Sequence, residues 1–279
     1  MSTVSERISF LLKERNIYCF SPIPLSKCKI IKSYLLQRSG ISEKDGTAFM
    51  IAVPYMVKDE IKGNVSEYAK SKDYHLFFSL LFGEILPILR SEFPEYKFEG
   101  FTDHSPIDEI NAAAKAGLGM IGRNGLLITE KYSSFVFVGE IITDAPVKCK
   151  TQEIELCENC GLCESTCPTG CDKTGCLSAV TQKKGELTKD ESSLIARHGS
   201  AWGCDLCQKV CPHTKKALQC GSIYSEIPFF LNDRTPYLTY ELVENMPEDL
   251  FKDRAYSWRG KAPLLRNLNI LEERGKNEE

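Results

Sequence analysis

Cys157-Glu158-Asn159-Cys160-Gly161-Leu162-Cys163-Glu164-Ser165-Thr166-Cys167-Pro168 is the stretch on which the reading of this chain turns. Three thiolates at successive spacings of three residues lie on one tight loop and can wrap a single iron–sulfur cube. The fourth cysteine, displaced by one residue and followed by proline, turns away toward a second cluster. A structural zinc site takes its thiolates from two separated pairs, which this run does not supply. A second half follows at Cys204-x2-Cys207-x3-Cys211-Pro212, one ligand short of a full repeat. With crossed ligation, Cys157, Cys160, Cys163 and Cys211 hold one 4Fe–4S cluster. Cys167, Cys204, Cys207 and one further cysteine hold the other, and spacing leaves Cys171 and Cys176 both open for that place. Cys19, Cys28, Cys149 and Cys220 carry no motif and read as small buried hydrophobes.

The rest of the composition agrees with a metal-holding protein in a reducing compartment. An odd count of 13 cysteines in 279 residues, most of them crowded between Cys157 and Cys220, is a poor disulfide framework. The start of the chain shows no basic n-region or apolar h-region, which predicts a cytoplasmic protein. No apolar run approaches the ~18 residues of a membrane span, so no membrane partner is expected. The chain is 42% hydrophobic and 26% charged, enough for real cores and against disorder. Its 35 basic and 38 acidic residues leave a net charge of −3, so no global basic field advertises a nucleic acid.

Working outward, three segments are expected: a mixed α/β domain over 1–148, a cluster domain over 149–220, and a tail over 221–279. Thr3 and Glu6 fit a capping box ahead of Val4, Ile8, Leu11 and Leu12 on one helical face. Ala48 to Tyr55 reads as a buried strand. Leu76 to Leu89 reads as a buried helix that Pro87 ends or kinks. Tyr96 to Thr102 reads as a strand delivering Asp103. Ser105-Pro106-Ile107-Asp108 predicts a helix start, with Ser105 as N-cap, running through Ala112-Ala113-Ala114 to Gly117. Gly125–Thr129 and Phe135–Thr143 predict a hairpin. In the tail, Lys252, Arg254, Arg259, Lys261 and Arg266 alternate with Phe251, Tyr256 and Trp258, a pattern able to grip phosphates and stack a base.

Gly117-x-Gly119-x2-Gly122 matches a dinucleotide fingerprint in letters only. It follows a helix and precedes strands, the reverse of the order that motif requires, so its glycines are expected to allow close backbone approach.

Several segments together resemble the epoxyqueuosine reductases. They are Tyr68-Ala69-x3-Asp73-Tyr74-His75, Thr102-Asp103-x-Ser105-Pro106, Ala116-Gly117-Leu118-Gly119-x2-Gly122-Arg123-Asn124, Phe137-Val138-Gly139-Glu140-Ile141, Cys176-Leu177-Ser178-x2-Thr181 and Gly203-Cys204-Asp205-x-Cys207. The resemblance spans about residues 45–270, in order. It implies an α+β protein in which a nitroreductase-like cobalamin-binding domain is followed by a ferredoxin-like double-cluster domain. It implies cobalamin beside the two 4Fe–4S clusters and reduction of epoxyqueuosine at the tRNA wobble position. It assigns the eighth thiolate to Cys176, the proton donor to Asp103, and cobalamin contacts to Ser66, His75, Leu127, Val138, Ser178 and Asp205. The expected partners are a tRNA anticodon stem-loop and an unidentified low-potential electron donor. The expected form is a short one, without the family's C-terminal helical-repeat domain. Two other readings of the same parts are a cobalamin-dependent reductase of a small epoxide or halide and a non-enzymatic two-cluster electron carrier.

Overall fold

The computed structural model describes residues 3–58, 62–171 and 175–278. The chain forms two compact units that interleave in sequence, where the sequence reading set consecutive segments. The first comprises Met1–Pro54, His75–Asn159 and Ala217–Ile227, and the second Tyr55–Tyr74, Cys160–Lys216 and Pro228–Glu279.

In chain order the first unit holds α1 (Val4–Lys13), β1 (Cys19–Pro24), α2 (Ser33–Ser39), β2 (Thr47–Pro54), α3 (Tyr74–Glu92), β3 (Phe98–Phe101), α4 (Glu109–Lys115), β4 (Met120–Ile121), β5 (Leu127–Ile128) and β6 (Val136–Thr143). Helix α1 starts with the expected capping box: Thr3 Oγ1 accepts the Glu6 N–H, and Glu6 Oε2 accepts the Thr3 N–H. Its buried face is Val4, Ile8, Leu11 and Leu12, as the periodicity predicts. Strands run in the order β1-β2-β6-β3, every neighbouring pair antiparallel. All eight residues of β2 are buried, which is why its sequence shows no apolar alternation.

Two expectations change here. Pro87 does not end α3, which continues to Glu92. The predicted hairpin does not form: β5 pairs with β4, while β6 is taken into the sheet between β2 and β3. Strand partners are chosen by long-range burial, which local sequence does not encode. Helix α3 packs closely on β6, where a Cβ at Gly139 would come within 2.5 Å of the Phe78 ring. Gly119 has the close-approach role expected of it, since a side chain there would collide with the Ile128 carbonyl.

The remaining helices are α5 (Leu162–Thr166), α6 (Leu177–Thr181), α7 (Lys189–His198), α8 (Leu206–Lys209), α9 (Pro212–Gln219), α10 (Pro228–Leu231), α11 (Tyr240–Glu244), α12 (Glu248–Lys252) and α13 (Lys261–Glu278). The second unit builds its core on Trp202 and Tyr256, both fully buried, with Phe251, Leu264 and Leu268. Among the described residues no helix is long and apolar enough to cross a membrane.

Candidate active site

Strand β3 ends at Phe101, and two residues later Asp103 turns the chain at φ +57°. That left-handed conformation costs an L residue roughly 1–2 kcal/mol, and Asp bears it better than most. Glu109 and His75 are among the groups that contact Asp103. Its N–H donates to both Oε1 and Oε2 of Glu109, at 3.1 Å each. Its Oδ2 lies 3.2 Å from Nε2 of His75, at the head of α3, and both side chains are more than half exposed. The acid is therefore presented outward while its backbone is held from within.

Behind it lies a pair of carboxyls. Glu140 of β6 sits between Met50 of β2 and Phe101 of β3 and has no exposed surface. The Ser105 hydroxyl donates to its Oε1. Its Oε2 is buried and meets no donor among the described residues. Burial, reinforced by the charge of Glu109, pushes the Glu140 carboxyl well above the usual range. Burial and then the Asp103 charge push Glu109 up to about 7, against the pull of a hydrogen bond from Glu140. The pair therefore keeps a proton on Glu140, which donates it toward Glu109.

This contact corrects the expected start of α4. Ser105 is not the N-cap, because its hydroxyl is spent on Glu140 and on accepting the Ile107 N–H at 3.0 Å. Asp108 caps the helix instead, accepting the Asn111 N–H at 3.3 Å. On the exposed side His104 meets Lys32 Nζ at 3.2 Å and the Tyr34 hydroxyl at 3.0 Å.

The other expected contacts are placed as follows. Val138 is half-buried on β6, and its carbonyl accepts the Thr102 hydroxyl at 2.9 Å. Leu127 is 2% exposed and packs in the core of the first unit. In the second unit, Asp205 Oδ2 accepts the Glu67 N–H at 2.8 Å, beside Ser66. Asp205 is raised to about 6 by burial; Lys209 pairs with it at 3.4 Å and with Glu67 at 2.9 Å. Ser178 Oγ accepts from Gln182 Nε2 at 3.1 Å. The Thr181 hydroxyl donates to the Ser178 carbonyl and accepts the Gly203 N–H, which gives the Cys-x-Ser-x2-Thr segment a local structural reason. The buried Ser66 Oγ has no partner among the described residues. An unsatisfied hydroxyl of this kind is costly without a ligand group or water to meet it, so it fits a polar cofactor contact.

None of the cysteines forms a disulfide. Helix α5 packs on α8, bringing Cys163 and Cys207 into one neighbourhood. Burial, then the charges of Cys167, Cys163 and Cys207, pushes Cys171 up to about 12. Burial raises Cys204 to about 11, with Cys207 and Cys176 adding to it. These mutual repulsions gather thiols that a cationic iron cluster would stabilise, with both candidates for the eighth place, Cys171 and Cys176, close to other cysteines of the two runs. No three of the described His, Cys, Asp or Glu side chains are gathered for a single metal ion, so the fit to clusters rests on this donor chemistry. At Cys157 the Arg123 N–H donates to Sγ at 3.3 Å. Cys19 and Cys28 are half-buried against the core of the first unit, where burial raises them to about 11 and about 12. Cys149 is also half-buried, whereas Cys220 is exposed, which corrects the expectation of a buried hydrophobe there.

The tail's basic pattern is largely consumed inside the second unit, which corrects the expectation of five free charges. Arg254 is buried and bonds the Asp233 carbonyl at 2.5 Å and carboxylate at 2.7 Å. Lys261 Nζ caps α11 and its turn through the Glu244 and Met246 carbonyls. Arg266 donates to the Lys183 and Gly185 carbonyls. Tyr256 and Phe251 are buried, whereas Trp258 is 56% exposed with the Arg259 guanidinium 3.7 Å above its ring. Alternation along the chain does not reveal which charges have internal partners.

Sequence reading passed over Glu109 and the role of Glu140. The available signal was an acid in the middle of the apolar run Val136-Phe137-Val138-Gly139-Glu140-Ile141-Ile142, since a buried carboxyl in a sheet is rarely without purpose.

No protein-family model matches the chain. It is similar to an epoxyqueuosine reductase of Listeria monocytogenes, 30% identical over 232 residues, covering 80% of this chain and 60% of that protein. It is also similar to one of Lactococcus garvieae, 28% identical over 238 residues, with 80% and 67% covered. The chain thus spans about 60% of the length of the Listeria relative. Among solved structures, a selenomethionine-labelled epoxyqueuosine reductase matches with a TM-score of 0.77 at 23% identity, over 98% of this chain and 82% of that one. An epoxyqueuosine reductase with an epoxyqueuosine-modified tRNA-Tyr stem loop matches with a TM-score of 0.75 at 22% identity, over 98% and 83%. These likenesses show a shared α+β fold.

Proposed function

We propose that this chain, a relative of the epoxyqueuosine reductases along 80% of its length, is itself a cobalamin- and iron–sulfur-dependent reductase. Its substrate is epoxyqueuosine at the wobble position of tRNA, and its product is queuosine. The single observation that carries the reading is Asp103, an exposed acid fixed on a strained turn with His75 beside it. Cobalamin, reduced through the clusters, supplies the electrons when bound. Removing the epoxide oxygen also needs protons, because an alkoxide leaves poorly until protonated, and such assistance is worth ~10²–10⁴-fold. The balance is two electrons and two protons, with the oxygen leaving as water. Asp103 supplies the first proton from its carboxyl as the C–O bond breaks, and solvent supplies the second.

Cys157, Cys160, Cys163 and Cys211 hold one cluster in this reading, and Cys167, Cys176, Cys204 and Cys207 the other. Ser66, His75, Leu127, Val138, Ser178 and Asp205 would contact cobalamin. Electrons arrive from a low-potential donor in the cytoplasm, where the thiols stay reduced. The deciding experiment gives the anaerobically loaded protein an epoxyqueuosine-containing anticodon stem-loop and looks for queuosine. Because Arg254, Lys261 and Arg266 are engaged internally, a protein that binds cobalamin yet ignores the stem-loop would point to a small epoxide or halide as substrate. Absence of cobalamin binding would leave the electron carrier.

A further inference from the structure

The turn that carries Asp103 is wrapped around buried acid. Glu109 stands in the first turn of α4, anchored by the Asp108 cap just before it. Both of its oxygens accept the one N–H of Asp103. Glu140 is fixed in the middle of the sheet, and Ser105, within the same turn, is bound to it. Placing the half-buried Glu109 beside the fully buried Glu140 opposes folding, and apolar side chains in their place would avoid that cost. Proton donation by Asp103 does not by itself require either of them.

We propose that Glu109 is a positioning residue for Asp103, its carboxylate gripping the Asp103 N–H while the buried Glu140 holds that carboxylate in place, so that the pair latches the left-handed turn and aims the donor. A proton on Glu140 Oε2, given to Glu109, satisfies an oxygen that otherwise meets no donor among the described residues. With Glu109 ionised, the grip on the N–H is a charge-assisted bond, stronger than a neutral one. Protonating Glu109 weakens the latch, and its value of about 7 places that event near neutrality. The groups facing the pair are Asp103 and Lys32 toward Glu109, and Ser105, Asp103 and the Cys28 thiol toward Glu140. The strand neighbours Met50 and Phe101 bring no charge.

The activity arm of the test rests on the function proposed above, and the exchange arm does not. Wild type, Glu109→Gln and Glu140→Gln would be loaded with clusters and cobalamin. Exchange of the Asp103 amide hydrogen would be followed from about pH 6 to pH 8 and corrected for intrinsic exchange. The expected wild-type result is protection that grows as pH rises through 7, flattened in Glu109→Gln. Single-turnover reduction of the modified stem-loop should fall about tenfold or more in Glu109→Gln, the size of a donor misplaced by a fraction of an ångström. Its wild-type limb rising near pH 7 should vanish, with cofactor content unchanged. An Asp103 amide equally protected in wild type and Glu109→Gln, or a wild-type pH profile in that variant, would overturn the proposal. Should Glu140→Gln not fold, the wild-type pH course and Glu109→Gln decide the matter. Should wild type not turn over at all, the exchange result still stands and the failure belongs to the functional reading.

Discussion

Nε2 of His75 lies 3.2 Å from Oδ2 of Asp103, joining the head of α3 to the turn after β3 through two exposed side chains. Neither group is sequestered, so the contact is open to a ligand, and the acid is the one expected to give its proton. Asp103→Asn should leave iron and cobalamin content unchanged and lower single-turnover epoxide reduction by ~10²-fold or more. The amide is close in size and keeps an oxygen toward His75. Wild-type turnover in this variant would reduce Asp103 to a turn residue.

Iron analysis of the anaerobically reconstituted protein should find two four-iron clusters. Cys176→Ala should lose one of them while Cys171→Ala keeps both. The Cys171 thiol donates to the Cys163 carbonyl at 3.3 Å, whereas Cys176 opens α6 and adds to the charge felt by Cys204. The opposite pattern of loss would transfer the ligand to Cys171.

Stability should depend on pH in the direction set by Glu109. Its folded value of about 7 lies above the ordinary 4.5 because burial disfavours the anion. The folded state therefore holds more protons than the unfolded one in that window. The associated stability is full below 4.5 and drains as pH rises through 7, and the raised Glu140 carries the loss further upward. Thermal unfolding across this range should show a falling midpoint, with a shallower fall in Glu109→Gln. An equal slope in both proteins would contradict the burial argument.

Arg254→Ala should damage the fold before it touches RNA affinity. The guanidinium is buried and makes two bonds to Asp233; hydrogen bonds to charged groups of this kind are worth about 1.5–3 kcal/mol, discounted here because Asp233 is half exposed. Charge reversal at the exposed Lys252 should leave the melting temperature near wild type and weaken stem-loop binding with a flatter salt dependence. Unchanged affinity would remove this surface from the RNA contact.

Local chemistry was readable from sequence and long-range pairing was not. The capping box at Thr3 and Glu6 involves neighbours three residues apart and formed as expected. Ser105 has the right type and spacing for an N-cap, yet its hydroxyl bonds Glu140, 35 residues away. The run from Phe135 looks like half of a hairpin, yet β6 is claimed on both edges by β2 and β3. The cysteine spacing suggests a cluster donor set because its two runs, Cys157 to Cys167 and Cys204 to Cys211, are each local, yet spacing leaves Cys171 and Cys176 both open for the eighth place. The basic tail misleads for the opposite reason, since Asp233 and the Gly185 carbonyl that absorb its charges are distant in sequence.

The most direct test of the central claim is a single-turnover assay on an epoxyqueuosine-bearing anticodon stem-loop with anaerobically loaded protein and a strong reductant. Queuosine should appear with wild type and be reduced by ~10²-fold or more with Asp103→Asn. No queuosine from wild type that carries both clusters and cobalamin would contradict the account.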